Sequence, residues 1–453
     1  QSNHNSYEPS ISGDGRFIAF RSLASNLVSG DTNGYYDIFL HDRDTDADAV
    51  YDEAGSISTK RVSVSEAGVQ SNFHSDNPQI SNNGRYLAFD TSASLLVPGD
   101  TDYFDVFVYD RIAGTIKKMS VTSTGASGVG QSSQPTVSGD GRFVAFVSNA
   151  RNLASADSTH YRDDVYVHDR DTDRDGLLDE PGAMSNVKMS YSTAGGAPNG
   201  YVQYRPTISS NGRFVAFNSN ANNLVPNDTN LQADVFTRDR DADGDGILDE
   251  VGATSLTRVN VASNGTQADK LSAGVVMSGD GRYIAFESAA TNLAPGATSG
   301  FFQVFLRDVR ARTTWLGSAS STGAQGNLRS TSPALSANGG YLMYFSDSVN
   351  MTPDDKTSDR DIFTSKVETV APDTAILTGP KFFTTATTAA FTWTASEAGV
   401  TYTCSLDYAP YTTCTSPRSY SGLRLGEHVF QVRATDFSGN TDPTPSVREW
   451  TVR

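Results

Sequence analysis

The stretch Pro9-Ser-Ile-Ser-Gly-Asp-Gly-Arg-Phe-Ile-Ala-Phe20 decides the fold, because the chain carries six versions of it. It returns from Pro78 to Phe89, Pro135 to Phe146, Pro206 to Phe217, Val275 to Phe286 and Pro333 to Tyr344, at spacings of 69, 57, 71, 69 and 58 residues. Each copy reads as a short strand ending in Ser, a Gly-containing turn, usually an Arg, and an apolar strand ending in an aromatic residue. The Asp-Gly or Asn-Gly pairs at 14–15, 83–84, 140–141, 211–212, 280–281 and 338–339 are expected to supply the positive φ angles of tight hairpins.

A second phrase follows each hairpin. Asp37-Ile-Phe-Leu-His-Asp42, Asp105-Val-Phe-Val-Tyr-Asp110, Asp164-Val-Tyr-Val-His-Asp169 and Asp234-Val-Phe-Thr-Arg-Asp239 alternate like third strands, with weaker copies from Gln303 and Asp361. A fourth strand follows in the first five units, at 60–64, 116–121, 187–191, 256–261 and 313–318. Short strands in fours, repeated at a steady period, predict an all-β fold with a six-bladed β-propeller over residues 1–367. The sixth unit runs past Val367 to Ala371-Pro372 without a fourth strand, and the chain starts too late at Gln1 to supply one. An open edge is therefore expected there, inviting a strand from a neighbouring subunit, a further N-terminal segment or the C-terminal domain.

The Pro-x-x-Ser-x-Asp-Gly-x-x-x-Ala-Phe wording resembles the propeller repeats of the TolB family over residues 1 to about 367. That resemblance implies a binding scaffold with no particular chemistry attached. Val275 replaces the first Pro in the fifth copy, and Gly340 replaces Arg in the sixth.

Residues 368–371 read as a linker, and 372–453 as a β-sandwich of about seven strands. Ser396-Glu-Ala-Gly, Cys404-Ser-Leu-Asp and Phe430-Gln-Val-Arg-Ala-Thr-Asp-Phe-Ser-Gly-Asn resemble bacterial Ig-like modules of secreted and surface proteins. The two cysteines of the chain, Cys404 and Cys414, both lie here and are expected to form a disulfide in an oxidising compartment.

Across 453 residues, 35 basic and 52 acidic side chains leave a net charge of −17, which argues against nucleic acid or an anionic membrane as partner. No apolar run approaches the roughly 18 residues of a membrane span, so no membrane insertion is expected. The chain opens on polar residues from Gln1, as a secreted chain would after removal of its export signal.

The acid is concentrated. Three insertions between third and fourth strands, at 42–53, 169–180 and 239–250, carry −5, −4 and −5, which is 14 of the 17 net negative charges. The last reads Asp239-Arg-Asp-Ala-Asp-Gly-Asp-Gly-Ile-Leu-Asp-Glu250. Carboxylates at alternate positions, a Gly at the bend, a carbonyl after it and an apolar anchor form the ligand pattern of a calcium (Ca2+) loop. The expected ligands are Asp241, Asp243, Asp245, the Ile247 carbonyl and Asp249, with Gly246 and Leu248 in support. The second loop offers Asp171, Asp173, Asp175, the Leu177 carbonyl and Asp179, with Gly176 and Leu178. In the first, Asp44, Asp46, Asp48 and Asp52 remain, but Ala49 replaces the Gly. Position twelve of an EF-hand would be Glu, whereas Gly252 and Gly182 stand there. The loops are therefore closer to thrombospondin type 3 or dockerin-like calcium loops, with Glu250 and Glu180 as extra ligands.

A second acidic pair recurs between strands two and three: Asp31/Asp37, Asp100/Asp105, Asp157/Asp164, Asp228/Asp234 and Asp355/Asp361. The fifth unit loses both at once, as Ala297 and Gln303, so the two act together. They read as turn-stabilising carboxylates, with a further calcium site as the alternative.

Catalysis finds no anchor. There is no Gly-x-Ser-x-Gly, His-Glu-x-x-His or P-loop. His41 and His168 share a strand position with Tyr109 and Arg238, which reads as a tolerant surface site. The expectation is a non-enzymatic, calcium-stabilised structural or interaction protein of the cell surface or extracellular matrix, with the periplasm as a further location. Self-association into a head-to-tail filament, or a surface protein or glycan partner, would be its mode of action. Two alternatives are a soluble glycan- or protein-binding module and a carbohydrate-active enzyme.

Overall fold

The computed structural model describes residues 1–100, 103–154, 162–320, 323–354, 357–367, 371–396, 400–435 and 440–453. Among them there is no helix, and the chain is all-β. Asp157, Asp355 and residues 368–370 of the expected linker lie outside the described residues.

Sheet one holds β1 (Ser6–Ile11), β2 (Phe17–Ser22), β3 (Asp37–Asp42) and β4 (Ser58–Arg61) in sequential antiparallel order. Four more sheets repeat that order over Ser75–Lys118, Ser132–Lys188, Thr207–Arg258 and Ser272–Leu316. A sixth, over Ser330–Lys366, has three strands. Sheets arranged as successive blades are the propeller-type architecture the repeats imply. After them come a three-stranded and a five-stranded sheet built from Thr374–Val452. Their common core holds Phe391, Trp393, Phe430, Trp450 and the disulfide Cys404–Cys414.

The hairpin turn follows from its side chains. Ser12 Oγ donates to Asp14 and accepts the Phe17 N–H, and Ser138 does the same with Asp140 and Phe143. Only the Gly of each pair takes a positive φ, +78° at Gly15 and +86° at Gly141. The pair supplies its positive φ through the Gly alone, because the side-chain oxygen of the Asp or Asn is already committed to the Ser and to the N–H two residues on.

Each sheet packs on the next through a repeated contact. The ring opening strand two lies over the hairpin Gly of the following sheet, so a Cβ on Gly141 would fall 1.9 Å from Tyr86 and one on Gly212 2.1 Å from Phe143. Hairpins are also stitched backbone to backbone, Gly13 to Asn82, Gly139 to Ser210 and Gly279 to Ala337. Five apolar cores result, one between each successive pair of sheets.

The strand-three position of His168 belongs to these cores, which corrects its reading as a surface site. His168, Tyr109, Arg238 and Arg307 are buried because they face the preceding sheet. Arg238 donates to the Met189 and Tyr191 carbonyls there, and Lys60 of sheet one donates to the Tyr109 hydroxyl. Burial lowers the pKa of His168, whose Nδ1 meets Asn186 Oδ1 at 3.0 Å.

Candidate metal centres

Each acidic loop begins where strand three ends, and an arginine from the hairpin holds that end. Arg16 pairs with Asp42, Arg142 with Asp169 and Arg213 with Asp239, each at 2.7 Å. Those aspartates accept the N–H of the first loop carboxylate: Asp44, Asp171 or Asp241. The first carboxylate is buried and receives backbone N–H groups from across the loop. Asp44 takes those of Asp48 and Ala49, Asp171 those of Asp175 and Gly176, and Asp241 that of Gly246. Asp48, Asp175 and Asp245 then accept the N–H two residues on, at 2.8 Å.

The result is three acidic triplets, Asp44/Asp46/Asp48, Asp171/Asp173/Asp175 and Asp241/Asp243/Asp245. In each, one oxygen per residue lies within 4.8 Å of the others. Hard oxygen donors in such a cluster suit a hard divalent cation. Without one they disturb one another: Asp245 raises the Glu250 carboxyl, and Asp173 is pushed up by desolvation and by Asp171. Gly176 and Gly246 bend the loops at φ +88° and +89°, and Ala49 adopts +69° at the same place. The first loop thus keeps the shape at a cost of about 1–2 kcal/mol for a side chain in that region.

The ninth-position carboxylates stand elsewhere. Arg43 holds Asp52, Arg170 holds Asp179 and Arg240 holds Asp249, at 2.5, 2.6 and 2.5 Å. A ligand role for these aspartates would mean sharing the carboxylate with that guanidinium. Ile247 and Leu177 are exposed, while Leu248 and Leu178 insert as anchors into the cores of the preceding junctions. The arginines were missed in the sequence. Their signal is the Asp-Arg-Asp that opens every loop, where the Arg also donates to the hairpin Gly carbonyl: Gly15, Gly141 or Gly212. This contact places the loops on the hairpin side of the sheets. The second and third loops also touch, through Arg174 Nη2 and the Gly246 carbonyl at 3.1 Å.

The second acidic pair carries its own cation. Arg61 lies 2.9 Å from Asp31 and 3.4 Å from Asp37, and Lys118 lies 2.8 and 2.6 Å from Asp100 and Asp105. Lys188 meets Asp164 at 2.5 Å, and Arg258 stands 3.8 and 3.6 Å from Asp228 and Asp234. Sheet five, which lacks both acids, has Leu316 at the cation's place in strand four. Ser63, Ser120, Ser190 and Asn260 donate to the inner carboxylate at 2.6 Å. Burial still raises Asp37, Asp228 and Asp234. In sheets one and two a protein cation thus bridges both acids, at the place where a second metal would sit.

No protein-family model and no curated protein sequence matches the chain. Solved structures similar to it include TolB from Acinetobacter baumannii, at 13% identity and TM-score 0.38, covering 96% of this chain and 66% of that one, just under two thirds of its length. An oligogalacturonate lyase from Vibrio parahaemolyticus shares 10% identity at TM-score 0.36, covering 80% of this chain and 89% of its own. The Dos1 propeller shares 11% identity at TM-score 0.37, covering 100% and 86%.

Proposed function

We propose that this chain is an extracellular or cell-surface scaffold, a six-bladed propeller followed by an Ig-like module, whose blades are clamped by calcium in the three acidic loops. It acts by holding partners, among them further copies of itself, and not by turnover. The observation that carries the reading is the placement of the carboxylate triplets. Each closes a loop that is tied by arginine to a hairpin, and two of the loops anchor a leucine in the neighbouring sheet. A cation that draws a triplet together therefore tightens a junction between sheets. The disulfide fits an oxidising compartment. No helix among the described residues is long and apolar enough to cross a membrane.

Calcium outside cells is millimolar, and loops of this class bind at about 10⁻⁴–10⁻³ M. A tenfold excess over Kd would add about 1.4 kcal/mol per loop. Chelation is expected to lower the melting temperature by several degrees, and added calcium to restore it. Calorimetry with and without chelator, alongside metal analysis of the purified protein, makes the test. An unchanged melting curve together with no bound metal would refute the calcium reading.

A further inference from the structure

Inner sheets are buried on both faces, and the two end sheets are not. The face that each sheet turns to its successor carries a ring, an alanine and a β-branched residue. Ala19, Ala88, Ala145, Ala216 and Ala285, and likewise Ile38, Val106, Val165, Val235 and Val304, are wholly buried. Their counterparts on sheet six are Met343 and Ile362, 43% and 59% exposed, beside Tyr341 at 57%. At the other end, sheet one turns a matching face outward. Ile11 is 55% exposed, while Ile80, Val137 and Ile208 at the same position are buried. Ile18 and Phe20 are half exposed, where Leu87 and Phe89 are covered.

The cradle for the incoming ring is open too. Gly15 has no atom closer than 3.8 Å to a Cβ built on it, and that atom belongs to Tyr51 of its own loop. At the internal junctions Arg111 lies over Phe17, Arg170 over Tyr86 and Arg240 over Phe143, each on a ring of the sheet before. Arg43 instead lies over Tyr51. Tyr51 is the anchor of loop one, the place that Leu178 and Leu248 fill in the other two, and its hydroxyl bonds to the Asp14 carbonyl. Charge agrees with shape. Sheet six ends strand three in Lys366, where the others end in Asp, and the loop it would meet is the first, with a net −5.

We propose that sheet six of one copy stacks on sheet one of a second copy, head to tail, with acidic loop one closing over the junction. The proposal rests on the self-associating reading above and names its surfaces. The occupant follows from the five internal junctions, each a sheet-six-type face on a sheet-one-type face. The chain carries one spare of each, and it leaves both in solvent. Such a contact is heterologous and propagates unless rotation closes it. Because loop one lies on this seam, calcium is expected to strengthen assembly as well as the fold.

Sedimentation of the full chain, with 2 mM calcium and with chelator, tests this. Wild type is expected to grow in mass with concentration in calcium and to shrink at least tenfold in association constant in chelator. Met343→Glu and Ile11→Glu, both at exposed positions, should each give folded monomers. Mixed in equal amounts they should give a dimer and nothing larger, since each variant keeps one intact face. The proposal is overturned if wild type stays monomeric at 100 µM in calcium, or if an Ile11→Cys/Met343→Cys variant forms its disulfide within one chain. It is also overturned if either Glu variant assembles as wild type does. A monomer that still takes up calcium and is stabilised by it would overturn the stacking and leave the calcium reading standing.

Discussion

Lys118 shows how a single side chain holds two buried acids. With Asp100 at 2.8 Å and Asp105 at 2.6 Å, removing its charge leaves two carboxylates in a dry place. Lys118→Met is expected to cost about 3–5 kcal/mol. The triple variant Asp100→Ala/Asp105→Gln/Lys118→Leu copies sheet five and should recover most of that in urea denaturation. A triple variant no more stable than the single one would sink this account. Asp90 poses the opposite case. It accepts the Asn77 side-chain amide and the Gln134 N–H, and burial pushes its carboxyl up to about 7. The folded state therefore keeps a proton that the unfolded chain releases near the ordinary carboxylate value. Its contribution is full below about pH 4 and is lost as pH rises through about 7. Asp90→Asn should flatten the stability profile across that window, by up to roughly 4 kcal/mol, and equal slopes in both proteins would refute it. The recurring aspartates were legible in the sequence. Their cation partners were not, because Lys118 and Arg61 stand a strand away and their direction is set by the ladder. The arginines inside Asp-Arg-Asp were equally hidden: that spelling shows charge, while the bidentate grip on Asp179 or Asp249 depends on the loop folding back nine residues.

Among the elements, the hairpin is the piece that does two jobs. Its glycine turns the chain and also receives a ring from the sheet before. Gly141→Ala meets both limits, φ +86° and a Cβ 1.9 Å from Tyr86, and should cost about 1–2 kcal/mol for the backbone and about 1–3 more for overpacking. Gly15→Ala meets only the first, since nothing lies within 3.8 Å, and should cost the smaller amount. Thermal denaturation of the two variants in chelator makes the comparison. Equal losses would mean that Gly15 is covered after all. Strands and turns were readable because they repeat: the Ser, the Gly and the alternating apolar residues recur at fixed places. The turn's inner geometry was not, since both Asp-Gly and Asn-Gly permit more than one arrangement and the Ser decides between them. The bulge before Pro9, Pro78, Pro135 and Pro333 was also invisible. Asn77, Gln134 and Ser332 take a positive φ there and offer their N–H to a carboxylate of the preceding sheet, Glu8, Asp90 or Glu287.

At the scale of the molecule, six sheets share five cores, so stability is a sum of neighbour terms with two unfilled ends. The sequence of sheet six keeps the hairpin phrase of its siblings, and its departures are few: Gly340 for the hairpin Arg, Met343 where five alanines stand, Lys366 for the closing Asp, and a missing fourth strand. Whether a face is covered depends on what stands next to it, which a repeat cannot say about its own last copy. The spacing of the repeats has a further meaning. Units that carry an acidic loop advance the chain by 69–71 residues, and units without one by 57–58. Every internal unit presents the same two faces to its neighbours. Duplication or loss of one such unit would therefore lengthen or shorten the protein in whole steps and leave both ends unaltered. If the first and last sheets stack between copies as proposed, the number of units is free to drift, whereas those two must change in concert.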